Sequence, residues 1–199
     1  MKENISYRGC SIVIDYDDYM NCPRDEYSNL GVIYSNSYRF NPDNRMLEDY
    51  FDKEGEIDWK TLQKDYIYLR VYIYEHGGIV LYCRDENEVF IPRTSAFDTA
   101  LYGVIAVSKE QARKEYGRLT KQKVQKIKDV LRGEIEELSA WYEGECYSYK
   151  IIDNNGNLLD SCCGFLGDAG KKYAIDYAKD YIDSYVYDGY VQTELFASV

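Results

Sequence analysis

Apolar and polar positions along the chain alternate in two distinct rhythms, and the elements follow from them. In "YIYLRVYIYEHGGIVLYC" (66–83), β-branched and aromatic residues run on both sides of Gly77-Gly78, which predicts a β-hairpin. "ISYRGCSIVIDYDD" (5–18) alternates as one or two strands with Ile12, Ile14 and Tyr16 on one face, and "LGVIYSN" (30–36) and "LYGVIAVS" (101–108) read as further strands. "ECYSYKIIDNNGNLLDSCCGF" (145–165) predicts a second hairpin, turning through Asn155-Gly156 as a two-residue turn. The rhythm then changes to a helical period. Val124, Ile127, Leu131, Ile135 and Leu138 form one apolar stripe on a long helix that Thr120 can cap, and Ser108 with Gln111 caps a shorter helix ending at Gly117. A closing helix over about residues 168–187 carries Ala174, Tyr177, Ala178, Tyr181, Ile182 and Tyr185 on its apolar side, with Asp168 as N-cap. Residues 46–51 and 58–64, the latter capped by Asp58, read as short helices, while "CPRDEYSNLG" (22–31) and "NPDN" (41–44) read as loop and turn. These elements predict an α+β fold of antiparallel hairpins packed with a long mid-chain helix and a C-terminal helix, in one domain over 1–199 with a sub-boundary near Ser108.

Composition narrows the function classes. No apolar run approaches the roughly 18 residues of a membrane span, and the N-terminal stretch lacks a signal peptide's apolar core, so a cytoplasmic protein is expected. Six scattered cysteines with no C-x-x-C pair and one histidine, His76, argue for free thiols and against a metal site. Net charge is −11 but uneven: residues 109–132 hold nine basic and three acidic side chains, so the remainder stands at −17 and repels nucleic acid. The 23 tyrosines are too many to be buried with satisfied hydroxyls, and an acidic, tyrosine-studded surface is expected.

Three stretches carry candidate chemistry. "SCCGFLGDAGKK" (161–172) suggests an anion cradle at Gly167, Gly170, Lys171 and Lys172, yet Gly164 and Gly170 enclose five residues where a phosphate-wrapping loop needs four, Lys172 stands where its hydroxyl residue belongs, and Asp168 brings a negative charge; the glycines read better as a strand exit and a helix start. Vicinal Cys162 and Cys163 read as thiols on opposite strand faces. The basic strip of Lys121, Lys123, Lys126, Lys128 and Arg132 fits a solvated helix face paired with acids elsewhere, so direct nucleic-acid binding is disfavoured. Asp176, Asp180 and Asp183 fall at i, i+4 and i+7 with Tyr173 and Tyr187 nearby, a carboxylate stripe able to imitate nucleic-acid phosphates; Asp15, Asp17 and Asp18 form a second acidic cluster. With a lone histidine and no nucleophile-elbow pattern, no catalytic residue and no cofactor are expected.

"CPRDEYSNLG", "VYIYEHGG" (71–78), "IAVSKEQARKEYG" (105–117), "LRGEIEEL" (131–138), "WYEGECYSYKI" (141–151) and "LLDSCCGFLG" (158–167), in that order, resemble a family of small acidic accessory proteins of phages and conjugative elements in Gram-positive and other gut-type bacteria. Relatives are richer in tryptophan in the first loop and beside the cysteine of "SCCGF", where this chain has Tyr27 and Cys163. The resemblance assigns no site. It implies a mobile-element protein acting on host defence, and hence a non-enzymatic inhibitor whose acidic, tyrosine-bearing surface occupies a basic site on a nuclease or related effector. The partner expected is a basic or nucleic-acid-handling host protein, with association between copies of the chain left open. The alternative is a sequestering protein for a small molecule or nucleotide, using residues 164–172.

Overall fold

The computed structural model of the chain describes residues 2–35, 37, 40–46, 57–85 and 98–196, with residues 185–196 described by backbone alone. Its elements run β1 (Glu3–Tyr7), β2 (Cys10–Tyr16), α1 (Pro23–Glu26), β3 (Val32–Ser35), α2 (Trp59–Asp65), β4 (Tyr66–Glu75), β5 (Ile79–Arg84), β6 (Thr99–Ser108), α3 (Lys109–Tyr116), α4 (Lys121–Tyr142), β7 (Cys146–Ile152), β8 (Leu158–Leu166) and α5 (Gly167–Phe196). The fold is α+β, with antiparallel sheets and packed helices. The predicted helix over 46–51 falls largely outside the described residues.

The chain divides into two compact units, one made from both ends (Met1–Met20 with Gly144–Val199) and one from the middle (Asn21–Glu143). Ser108 lies inside the middle unit, where β6 hands over to α3, so the composition change there marks the passage from sheet to helices.

The middle unit is a four-stranded antiparallel sheet in the order β3-β6-β4-β5. One sheet face buries Leu69, Val71, Leu81 and Ile105 against Ile127, Leu131, Ile135 and Leu138 of α4, four of the five stripe positions expected for that helix. At roughly 1.5–3 kcal/mol for each fully buried aliphatic side chain, this seam is the main stabilising feature of the unit. On the opposite face a smaller cluster gathers Leu62 of α2 with Tyr68, Val104 and Ala106, and Trp59 stacks on Tyr68 at 5.8 Å. The helix starts follow their caps: Asp58 accepts from Lys60 N and Thr61 N, Ser108 from Gln111 N, and Thr120 from Lys123 N.

The terminal unit is a second antiparallel sheet, in the order β1-β2-β7-β8. Ile12 faces Ile151 and Ile14 faces Tyr149 across β2 and β7, and this face packs on Ala174, Ala178 and Ile182 of α5. Two alanines at i and i+4 let the helix lie close to the sheet, so its buried stripe is narrow. Tyr177, assigned above to the apolar side, therefore sits on the helix shoulder and is 47% exposed.

Two further expectations are corrected. The β7–β8 turn is a five-residue loop and not a two-residue one: Asp153 Oδ1 accepts from Asn155 N and Asn157 N, Asp153 N donates to Asn157 O, and only Gly156 takes a positive φ. The Asp153 side chain organises the loop in place of an Asn-Gly turn. Asp168 lies within the first turn of α5, which starts at Gly167 and runs on to Phe196, beyond the predicted end.

Candidate functional site

The exposed side of α5 and the neighbouring edge of the terminal sheet hold the aromatic and acidic groups together. Tyr173 and Tyr177, one turn apart, are 62% and 47% exposed. Their ring centroids are 6.3 Å apart, Tyr173 lies 6.2 Å from Phe165 of β8, and Tyr177 lies 6.1 Å from Tyr149 of β7. Tyr149 and Phe165 complete the circuit at 5.8 Å. Two buried or half-buried rings thus hold two exposed ones in place. Tyr149 donates to Asp160 Oδ2 at 2.6 Å; burial and then that carboxylate push the phenol above its ordinary range, so it stays a neutral donor.

Asp176, between the two tyrosines along the helix, and Asp180, three residues beyond Tyr177, are exposed on this same side of α5. Asp183 is not a free member of the stripe. Its Oδ2 accepts from Tyr7 Oη at 3.1 Å and its Oδ1 lies 2.7 Å from Arg8 Nε, so it ties α5 to the β1–β2 turn. The backbone of Tyr187 lies in α5, and its side chain is outside the described residues.

The second acidic cluster has a different job at each residue. Asp15 Oδ1 accepts from the backbone N of Tyr16, and Asp15 Oδ2 lies 3.5 Å from Lys2 Nζ. Asp17 Oδ2 accepts from Gly164 N at 3.2 Å, at a bulge where the β7–β8 register slips. Asp18 is exposed, and with Asp17, Tyr19, Cys162 and Cys163 it lines a cleft of about 330 Å³. The Cys163 thiol, raised by burial and then by Asp17, is not an activated nucleophile.

"SCCGFLGDAGKK" is a direct junction: β8 ends at Leu166 and α5 begins at Gly167 with no loop between them. Gly167 takes φ +64 and donates to Glu145 O, while Gly170 lies against Phe165, where an added Cβ would come within 3.0 Å of the backbone. Lys171 is paired with Glu3 at 2.7 Å, a contact that raises its pKa, and only Lys172 of the proposed anion cradle projects into solvent. Much of the basic strip is engaged as well. Lys128 pairs with Asp85 at 2.7 Å, Arg132 donates to Cys83 O, and Lys123 to Tyr116 O. His76 is an exposed turn residue, 3.8 Å from Asp98.

Sequence reasoning missed two features. Tyr177 was assigned to the wrong side, although its place four residues after Tyr173 and next to Asp176 puts it beside the carboxylate stripe. The other is a buried charge network in the middle unit. Arg24 Nε and Nη2 reach both oxygens of Asp43 at 2.9 and 2.6 Å, Nη1 reaches Glu134 Oε2 at 2.8 Å, and Nη2 reaches Gly31 O at 2.6 Å. The carboxylates are satisfied in turn by Ile33 N, Leu30 N and Gly31 N. Burial opposes the Arg24 charge, and hydrogen bonds and charge from Asp43 and Glu134 outweigh it, raising its pKa. With its donors used internally, the network fastens the 22–31 loop to α4. The only sequence signal is Gly31, where a Cβ would come within 2.5 Å of Leu131.

Among the described residues no group of three or more His, Cys, Asp or Glu side chains is placed to hold a metal ion, and no helix is long and apolar enough to cross a membrane. Comparison with protein-family models, with curated proteins and with solved structures finds no match for this chain.

Proposed function

We propose that the chain is a non-enzymatic interaction protein of a mobile genetic element, acting in the cytoplasm of its bacterial host, that inhibits a defence factor by seating the exposed face of α5 in a basic groove of a nuclease or related effector. The observation that carries this reading is the pairing of exposed Tyr173 and Tyr177 with exposed Asp176 and Asp180 on one rigid helix. Tyrosine supplies large, stiff contact area, and here the rings already rest against each other and against Phe165 and Tyr149, so little side-chain freedom is lost on docking. The carboxylates supply orientation and fast encounter with a cationic partner. One helical turn separates Asp176 from Asp180 by about 6 Å of rise, close to twice the roughly 3.4 Å axial step between phosphates of a nucleic-acid strand. The terminal unit carries six basic and 13 acidic side chains, net −7, against −4 for the larger middle unit, so negative charge is concentrated in the unit that bears the face. The nucleotide reading through Gly167, Gly170, Lys171 and Lys172 has less support, since Lys171 is committed to Glu3.

The test is a pull-down with the tagged full-length chain from nuclease-treated host lysate, washed at low and at high salt and read by mass spectrometry. The expected result is recovery of a basic, nucleic-acid-handling protein that is lost at high salt, lost with the Asp176→Lys/Asp180→Lys variant, and weakened with Tyr173→Ala/Tyr177→Ala. Asp176 and Asp180 are exposed, so the charge-reversed variant should melt within about 0.5 kcal/mol per site of the parent, while the tyrosine variant also loses ring contacts worth about 0.5–1.5 kcal/mol each. Equal recovery by the charge-reversed variant, with a normal melting curve, removes α5 from the interface.

A further inference from the structure

We propose that a cleft in the middle unit, independent of the α5 face, binds a small organic anion: one carboxylate or phosphate carried on an apolar body. The cleft encloses about 400 Å³ between α3, α4 and the start of β4, within the roughly 300–1,000 Å³ usual for small-molecule sites. Its lining includes three cations, Lys109, Arg113 and Lys128, and no carboxylate, in a chain whose net charge is −11. The acids of α3 are engaged elsewhere: Glu110 pairs with Lys114 at 3.1 Å, and Glu115 accepts from Gln111 Nε2 at 2.6 Å.

Two of the cations are held in place. Lys109 Nζ donates to Gln63 O and Lys64 O at 2.7 and 2.9 Å, at the carbonyl end of α2. Lys128 Nζ donates to both oxygens of Asp85 at 2.9 and 2.7 Å. An ammonium has three N–H groups, so each lysine keeps one donor for a ligand and is already fixed, which lowers the ordering cost of binding. Arg113 adds a planar fork suited to two oxygens of one carboxylate or phosphate. Asp85 balances Lys128, and the two charges left over from Lys109 and Arg113 match one phosphate monoester and more than cover one carboxylate. Leu119 and Val124 supply an apolar floor around nearly buried Ile67, and Gln63, Tyr66 and Tyr68 complete the lining. A nucleic-acid strand needs cations along an exposed face and no such floor; an anion with an apolar body uses both parts.

The test titrates naphthyl phosphate and inorganic phosphate into the full-length chain at low salt, followed by calorimetry. Naphthyl phosphate should bind saturably, one per chain, at least about tenfold more tightly than inorganic phosphate. Arg113→Ala should weaken it by a further factor of about ten or more, while Arg118→Ala, an exposed neighbour outside the cleft, should leave it within about twofold. Absence of saturable binding, equal affinity for the two phosphates, or equal loss in the two variants overturns the proposal. Binding by the Asp176→Lys/Asp180→Lys variant should match the parent, so this result and that of the α5 face are read separately.

Discussion

Replacing Arg24 with methionine would test whether the buried network holds the middle unit together. The Arg24 side chain is 3% exposed, and its two acidic partners Asp43 and Glu134 are 14% and 10% exposed. Methionine fills much of the same volume but removes four hydrogen bonds and the only cation facing the two carboxylates within this network. Three backbone N–H groups remain to solvate them. Removing one partner from a buried ion pair costs about 3–5 kcal/mol, because the opposing charge is left uncompensated. The remaining amides place this case near the lower end, at about 3 kcal/mol. The assay is urea unfolding followed by tryptophan fluorescence. Both tryptophans, Trp59 and Trp141, lie in the middle unit, so the signal reports on that unit alone. With an m-value of about 2 kcal/mol/M the midpoint should fall by about 1.5 M urea. A fall worth less than about 1 kcal/mol would put the network in the class of exposed salt bridges and refute the argument that it fastens the 22–31 loop to α4.

Gly103→Ala should destabilise the middle unit by about 3 kcal/mol in the same assay, since the new Cβ would overlap the carbonyl oxygen of Tyr34 on the paired strand; an unchanged midpoint would show that β3 can withdraw from β6 at no cost. Burial holds the phenols of Tyr102 and Tyr149 above their ordinary range and pushes Tyr142 up to about 12. A raised tyrosine stabilises the fold fully below its unfolded value near 10, and that stabilisation is lost as pH climbs through the folded value. Stability should therefore fall above pH ~10 by about 1.4 kcal/mol per pH unit for each fully buried phenol, and Tyr102→Phe should flatten the slope seen by tryptophan fluorescence.

What the sequence makes legible is what short-range physics decides. The β4–β5 hairpin, the α4 stripe and the caps at Asp58, Ser108 and Thr120 depend on residues within a few positions of one another, and periodicity reveals them. The β7–β8 loop was misread because Asn155-Gly156 invites one turn type while Asp153, two positions earlier, organises another through its side chain. The pairing of Arg24, Asp43 and Glu134 has no local signal, because nothing in the neighbouring residues shows that side chains 110 positions apart meet. At the candidate site the carboxylate stripe was legible, but its extent was not. Asp183 is withdrawn by Arg8 and Tyr7 from the far end of the chain, and Tyr177 moves into the face because the alanines narrow the buried stripe.

The chain order adds a constraint on how the α5 face can form. Sheet pairing in the terminal unit joins β2 to β7, so the Tyr16–Tyr147 pair closes a loop of roughly 130 residues. With a closure cost that grows as (3/2)RT ln n, this is about 3 kcal/mol dearer than closing the short β7–β8 loop. Asp17 N and Cys146 O, on either side of the inserted middle unit, are hydrogen bonded at 2.8 Å. A folded middle unit therefore has to bring its own two ends near each other, and once it does, the long loop is no longer a flexible one and most of that closure cost has been met. The α5 helix packs on strands from both chain ends, Ile12 and Ile14 from one and Tyr149 and Ile151 from the other. Presentation of Tyr173, Asp176, Tyr177 and Asp180 thus depends on residues that never touch them. Weakening the Arg24 network should lower the population that displays the face, whereas reversing the charges of the face should leave the middle unit as it was.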